Sequence, residues 1–365
     1  MNSIIRRILE MAIEIQQIPA PTFHEEERAN FILETFQLDK ELDVRMDDAG
    51  NVLACLPGSG KVAPIVVSAH LDTVFPSNIN LKYSQEDDRI FGPGIGDNST
   101  GVAALFGLLW MLKERNIHLP GDLWLVANVC EEGLGDLKGI RAIVNRFKDQ
   151  PQAYIILEGM ALEHIFNRGL GVRRYRISIT TRGGHSWSDY GQPSAIHKLT
   201  NLATRLTSLA LPTTPRTTLN VGKITGGTSV NTIAAEASMD LDLRSEKMVT
   251  LEEVAQKVEQ LAVSMQKEDI QVEIKQIGAR PAGKIKEDHP LVKLAQDCIR
   301  EQGLQPVLTI GSTDANYPLS FGYPTITIGL THGARAHTVH EYIYTDPLQK
   351  GMEQLLQLIT RLGAG

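Results

Sequence analysis

From residue 46 to about 160 the chain alternates short apolar runs with longer stretches of helical periodicity. The runs "NVLACLPG", "PIVVSAHLDTV", "DLWLVANV" and "AYIILEG" are almost continuously apolar, the pattern of strands buried on both faces. Between them, "STGVAALFGLLWMLKERN" and the region of "LKGIRAIVNRF" predict helices. This alternation predicts an α/β domain whose central, mostly parallel mixed sheet is flanked by helices. The first 21 residues, "MNSIIRRILEMAIEIQQIPAP", read as an amphipathic helix stopped before Pro19 and Pro21.

Near residue 172 the rhythm changes. A strand at "RRYRISITTRGGHS", a helix at "SAIHKLTNLATRLTSLAL", strands at "TTLNVGKITGG" and "TIAAEASMDLDLRS", a helix at "TLEEVAQKVEQLAVSMQK" and a strand at "IQVEIKQIGARP" follow in turn. That order is β-α-β-β-α-β, the ferredoxin-like arrangement. After "RPAGKIKEDHP" the first pattern returns, with a helix at "LVKLAQDCIREQG", strands at "PVLTIG" and "TITIGL", and a closing helix at "TDPLQKGMEQLLQLITRLG". The expected organisation is one domain of residues 1–171 and 284–365, interrupted by a second of residues 172–283.

Composition adds exclusions. Across 365 residues, 42% hydrophobic and 22% charged is an ordinary globular balance, and a net charge of −7 lacks the basic face that nucleic acid requires. Glutamates interrupt the apolar positions of the first helix, so neither a signal-peptide core nor a membrane span is expected there. Cys55, Cys130 and Cys298 are odd in number, far apart and in no CxxC pair, which fits a reduced, cytoplasmic compartment. Small molecules or peptides are the expected partners.

The candidate chemistry gathers at the carboxyl ends of the first domain's strands, where such sheets place their sites. "SAHLDTV" sets His70 and Asp72 two residues apart, a spacing at which a carboxylate can orient a ligating imidazole; the alternative is a surface histidine beside a turn-capping aspartate. In "GPGIGDNSTG", glycines surround Asp97 without the spacing of a phosphate loop, so they aim one carboxylate into a site or Asp97 caps the next helix. "CEEG" ends a strand in Glu131 and Glu132, which would face opposite ways in an extended chain. Either one is solvated or the chain turns there and both serve a site, one binding metal and one taking a proton from water. Glu158 ends "IILEG", and "GARAHTVHEYIY" supplies His337, His340 and Glu341. Histidines and carboxylates without thiolate suit zinc, cobalt or manganese, and two ions could share Asp97. A serine or cysteine nucleophile has no supporting motif here.

Together HLDTV, GxGDNSTG, EEG, the strand-end glutamate and the late histidine resemble the di-zinc metallopeptidase family of glutamate carboxypeptidase, peptidase T, acetylornithine deacetylase and aminoacylase. The resemblance spans nearly the whole chain. It implies two divalent ions, zinc first, with cobalt or manganese as alternatives. His70 and Glu158 would hold one, Glu132 and His337 the other, and Asp97 would bridge them. Asp72 would orient His70, and Glu131 would be the general base. His337 is chosen over His340 because the family's final motif places its histidine four residues before a glutamate, here Glu341. In the insert, "RGGHSWSDYGQPSAI" resembles the family's lid and dimerisation domain, implying that His185, assisted by Asn231, polarises the scissile carbonyl in the partner subunit of a homodimer; the plainer reading is a hairpin cap. Arg280 and the turn at Gly311, Ser312 and Thr313 resemble elements that grip a substrate carboxylate, although Arg280 could be a surface arginine. The implied activity is hydrolysis of short peptides by a carboxypeptidase-like exopeptidase. An N-acyl-amino-acid deacylase and an aminopeptidase on di- or tripeptides are the alternatives.

Overall fold

The computed structural model describes residues 3–363. Two compact units emerge, one of Met1–Gly169 with Gly283–Gly365 and one of Leu170–Ala282. The first is built on a nine-stranded mixed sheet. Its centre is four parallel strands in the order Leu123–Asn128, Ile65–His70, Ala153–Glu158 and Thr325–Gly329. The first three are strands read as continuous apolar runs, and all but Glu158 of the residues in the four are buried. With both faces covered by helices, no position on them faces solvent, so those three show no alternation, and in Thr325–Gly329 the two threonines are as buried as the isoleucines. Antiparallel strands follow on both sides, Val52–Leu56 and Asp43–Met46 on one, His164–Gly169 and Gly283–Lys284 on the other, and the ninth strand, Val307–Gly311, pairs parallel with His164–Gly169.

Helix Thr100–Glu114 is buried on nearly every side, from Thr100 to Leu112, and Phe106 stacks on Phe36 of helix Glu26–Gln37 with centroids 4.1 Å apart. The span Ile95–Glu114 is long and apolar enough to cross a membrane, but 89% of its apolar 18-residue window is buried inside this unit, so its apolarity is that of a core helix.

A separate four-stranded antiparallel sheet was not foreseen. It orders Gly333–Ala334, Tyr342–Tyr344, Arg89–Phe91 and Ser84–Glu86, with Tyr342 opposite Phe91. Strands of two or three residues carry too little periodicity to be read from sequence. Their effect is large, because they fasten the glycine-rich loop after Phe91 to the loop that carries His337.

The second unit has a four-stranded antiparallel sheet in the order Thr217–Gly226, Glu236–Ser245, Gly171–Thr181, Ile270–Arg280. Helices Ala195–Thr207 and Met248–Val263 pack on one face around a core that includes Ile177, Ile179, Leu199, Leu243 and Val258. In chain order this is the β-α-β-β-α-β arrangement.

Candidate active site

Each acidic or imidazole group reaches the site by a local device. The parallel strand Ile65–His70 ends at His70, whose ring is 2% exposed. Its Nδ1 lies 3.0 Å from the main-chain oxygen of Asp72 and 3.6 Å from that residue's carboxylate. A carbonyl only accepts, so Nδ1 carries the hydrogen and Nε2 is the nitrogen turned toward the acidic cluster. The Asp72 carboxylate does something else as well. Its two oxygens accept the main-chain N–H groups of Glu131 and Glu132 at 2.9 and 2.8 Å, and the second also accepts from Thr22 Oγ1 at 2.9 Å.

That double bond resolves the pairing of the two glutamates. Strand Leu123–Asn128 stops before them, Cys130 adopts φ +59°, and the turn folds onto Asp72. Both glutamates are therefore buried, each 6% exposed, instead of facing opposite sides of a strand. Glu25 accepts the Cys130 N–H at 3.0 Å and so braces the turn from the other side.

Asp97 lies in the irregular turn Ile95–Ser99, ahead of the helix, and Ser99 holds the cap position. Its two oxygens are divided: Oδ1 is 3.1 Å from His70 Nε2 and Oδ2 is 3.0 Å from His337 Nε2. The loop is held by Glu341, fully buried, which accepts the N–H groups of Gly94, Gly96 and Asp97 at 3.2, 2.7 and 2.8 Å. Asn98 ties the same loop to the neighbouring strand, donating to Leu157 O and accepting from Gly159 N, both at 2.9 Å. Gly159 has to be glycine, since a Cβ there would lie 2.2 Å from the Gly96 oxygen. Glu158, one residue earlier, brings Oε2 to 3.8 Å from His70 Nε2.

His337 adopts φ +64°, an uncommon conformation for a residue with a side chain, and approaches Glu132 Oε1 at 3.1 Å as well as Asp97. His340 is exposed and joins none of the ligand groups found among the described residues. Three such groups have their donor atoms within 4.8 Å of one another: His70, Asp97 and Glu158; Asp97, Glu132 and His337; and His70, Glu131 and Glu132. Asp97 belongs to the first two and Glu131 only to the third.

Charge explains what this cluster can take. Burial raises Glu132 and Glu158 to about 7, against the pull of His337 and His70 respectively. Burial would depress the His70 imidazole, but hydrogen bonds to Asp72, Asp97 and Glu158 hold it well above its ordinary value. His337 is lifted to about 10 by hydrogen bonds to Asp97 and Glu132. For Asp97, burial is outweighed by its bonds to the two imidazoles, and its pKa falls. Carboxylates this crowded and buried either hold on to protons, as Glu132 and Glu158 do, or pair with imidazoles that hold theirs, as Asp97 does. A divalent cation suits the same space, and nitrogen and oxygen donors without thiolate fit zinc, cobalt or manganese.

The remaining expected residues are located as follows. His185 and Asn231 lie together in the second unit: Gly184–His185 pairs with Thr232–Ile233, and Ser186 N donates to Asn231 O at 3.0 Å. Arg280, also in that unit, ends strand Ile270–Arg280 and is 4% exposed, not a surface side chain. Gly311 ends strand Val307–Gly311 in the first unit, Ser312 follows, and Thr313 Oγ1 lies 2.9 Å from Thr327 Oγ1.

Sequence reasoning missed the supports. Thr22, Glu25 and Arg28 come from a segment that offered no motif. Arg28, 1% exposed, donates to Leu71 O at 2.7 Å and to Ile18 O, with burial lowering its pKa to about 10. Asn128 also went unnoticed; it donates to Asp314 Oδ2 at 2.7 Å and accepts from Ser68 Oγ at 2.7 Å.

A hydrolase that works with metal is what this arrangement defines: imidazoles and carboxylates at the carboxyl edge of a parallel sheet, with a further carboxylate beside them. The chain belongs to peptidase family M20/M25/M40, which matches residues 66–361. It is a metallopeptidase, a hydrolase of peptide or amide bonds. Among curated relatives, the uncharacterized protein YqjE of Bacillus subtilis (strain 168) is 25% identical over 374 residues, covering 97% of this chain and 98% of its own. Carboxypeptidase G2 of Pseudomonas sp. (strain RS-16) is 24% identical over 326 residues, covering 86% and 77%. In fold, the chain is similar to a tripeptidase from Staphylococcus aureus subsp. aureus Mu50, with TM-score 0.81, 24% identity and 99% of each chain covered. Aminopeptidase PepT from Bacillus cereus ATCC 10987 matches with TM-score 0.78, 24% identity and 99% of each chain.

Proposed function

We propose that the protein is a di-metal exopeptidase of carboxypeptidase type acting on short peptides. The observation that carries the reading is Asp97, whose two oxygens are divided between His70 and His337 so that it completes one ligand group with Glu158 and another with Glu132. His70 and Glu158 would hold one ion, Glu132 and His337 the other, with Asp97 common to both; zinc is the first choice, and cobalt or manganese also suit these donors. Such ions, when bound, supply the Lewis acidity that polarises an amide carbonyl and acidifies water.

The chain's own residues do the rest. Glu131 lies beside both proposed sites, within one candidate group with His70 and Glu132, where its carboxylate would take the proton of the attacking water and return it to the leaving nitrogen. Asp72 fixes Glu131 by accepting its main-chain N–H, and fixes the His70 ring through its own carbonyl. His185 would serve the carbonyl oxygen. Its Nδ1 accepts the N–H groups of Trp187 and Ser188 at 3.2 and 3.3 Å, so the ring hydrogen sits on Nε2 and that nitrogen is a donor. In this reading His185, with Asn231, reaches the site of the partner subunit in a homodimer formed through the second unit, which acts as a lid. Arg280, with the turn at Gly311, Ser312 and Thr313, would grip the substrate carboxylate, a role suited to a guanidinium fork. The likeness to carboxypeptidase G2 supports that choice. Three buried, unpaired cysteines support a cytoplasmic setting.

The test is a panel of dipeptides, tripeptides and N-acetyl amino acids, each with a free and an amidated carboxyl end, given to the metal-reconstituted protein. Cleavage of peptides that disappears on amidation is expected. Cleavage that survives amidation but is abolished by blocking the amine would make the enzyme an aminopeptidase, and activity confined to N-acetyl compounds would make it a deacylase.

A further inference from the structure

The most exposed large apolar side chains among the described residues are Val230, Tyr190 and Trp187, at 102%, 90% and 86%. They are not scattered. Trp187 and Tyr190 share the turn that carries His185, and Val230 precedes Asn231, whose carbonyl accepts the Ser186 N–H. The sheet of the same unit offers a contrast, since its polar residues pair off in Arg174–Asp242 and Arg176–Asp240 at 3.0 and 2.7 Å. Single exposed apolar residues need no explanation, but here two aromatics project from the turn of one imidazole and a valine from the segment bonded to that turn, each with nearly its whole surface open to a ligand.

The turn that presents them is rigid. His185 N donates to Asp189 Oδ2 at 2.7 Å, Asp189 N donates back to His185 O at 3.0 Å, and Tyr190 N donates to Trp187 O at 3.4 Å. The N–H of Trp187 is itself one of the two that hold His185 Nδ1. The orientation of the imidazole and the main-chain positions from which the two aromatics project are therefore set by the same few bonds.

We propose that Trp187 and Tyr190, with Val230 beside them, determine specificity by covering a large apolar side chain of the substrate next to the bond that is cleaved. The inference rests on the reading in which His185 Nε2 meets the scissile carbonyl oxygen. The side chain flanking that carbonyl begins one Cα away, within reach of an indole two residues from the imidazole. An indole and a phenol ring supply a broad, stiff apolar surface, suited to leucine, methionine or phenylalanine and indifferent to alanine or glycine.

The experiment compares kcat/KM for peptides that differ only in the residue flanking the cleaved bond, with alanine, leucine or phenylalanine there. Wild type, Trp187→Ala, Trp187→Phe, Tyr190→Ala and His185→Gln are assayed in the metal-reconstituted full chain. Trp187→Ala is expected to lower kcat/KM about tenfold or more on leucine and phenylalanine substrates, with a change of at most about threefold on alanine, and Trp187→Phe to restore most of the loss. Tyr190→Ala gives the same selectivity to a smaller degree and stands in if the tryptophan variant does not fold. An equal loss on all three substrates, or no loss, while His185→Gln is strongly impaired, would overturn the specificity inference and leave the role of His185 intact. If His185→Gln keeps wild-type activity, the reading beneath the inference fails and the inference falls with it.

Discussion

Glu131 and Glu132 are neighbours of the same chemistry with different surroundings. Glu132 lies 3.1 Å from His337 and shares a ligand group with Asp97, whereas Glu131 shares one only with His70 and Glu132. Replacing Glu131 by glutamine keeps its shape and its main-chain bond to Asp72, and removes only the capacity to accept a proton. The expected result is a loss of about 10²–10⁴ in kcat with metal content and melting temperature unchanged. Steady-state kinetics beside metal analysis would check this, and retention of more than a few per cent of wild-type turnover would contradict the base assignment. At this scale the sequence was informative wherever a candidate ligand ended an apolar run, as His70 and Glu158 do. It was silent on Thr22, Glu25 and Arg28, because their side chains reach the site from a distant segment, Glu25 and Arg28 by bonding main-chain atoms of any residue type, and such partners leave no motif. Asp72 was read as the partner of His70, and its bonds to the Glu131 and Glu132 amides could not be read, because they depend on a turn with Cys130 at positive φ.

Among the elements, the small sheet that joins Tyr342–Tyr344 to Arg89–Phe91 brings together loops some 240 residues apart in sequence. Glu341, beside it, ties them by accepting three N–H groups from the glycine-rich loop. The four-residue spacing between His337 and Glu341 is thus the spacing between a proposed ligand and the anchor of the opposite loop. Glu341→Ala leaves three buried N–H groups unpaired and is expected to cost about 2–4 kcal/mol in urea unfolding of the metal-free protein. Glu341→Gln, which keeps an acceptor oxygen, should recover part of it. A loss below about 0.5 kcal/mol for the alanine variant would show that the loop does not depend on this anchor. Three of the central parallel strands were legible as unbroken apolar runs of six residues, and the β-α-β-β-α-β order as longer strands and helices with a period of their own. Strand His164–Gly169 and helix Glu26–Gln37 were not, the strand being at the sheet's margin and the helix showing a weak apolar stripe beneath a charged run.

For the molecule as a whole, protons and metal compete for one buried cluster. In the metal-free chain Glu132, Glu158 and Glu341 are raised from 4.5 to about 7, chiefly by burial. Over that window the native state binds more protons than the unfolded chain, so stability falls as pH rises from 4.5 to about 7. His337, raised from 6.5 to about 10, acts in the same direction: its contribution is complete below 6.5 and is lost as pH climbs toward 10. Asp72 and Asp97 are shifted downward from 3.8, so their opposite effect is confined to strongly acid solution. Bound cations would take over from the protons. The difference in melting temperature between metal-loaded and EDTA-treated protein should therefore widen by several degrees between about pH 6 and about pH 9. A constant or narrowing difference would mean that these groups do not exchange protons for metal.

The most direct test is the metal content of the reconstituted chain, measured by mass spectrometry after removal of free ions and repeated on Asp97→Ala. Two ions per chain in the wild type are expected, with Asp97→Ala losing at least one, because that carboxylate is common to both ligand groups. A single ion in the wild type, or two still held after Asp97→Ala, would contradict a centre built around Asp97.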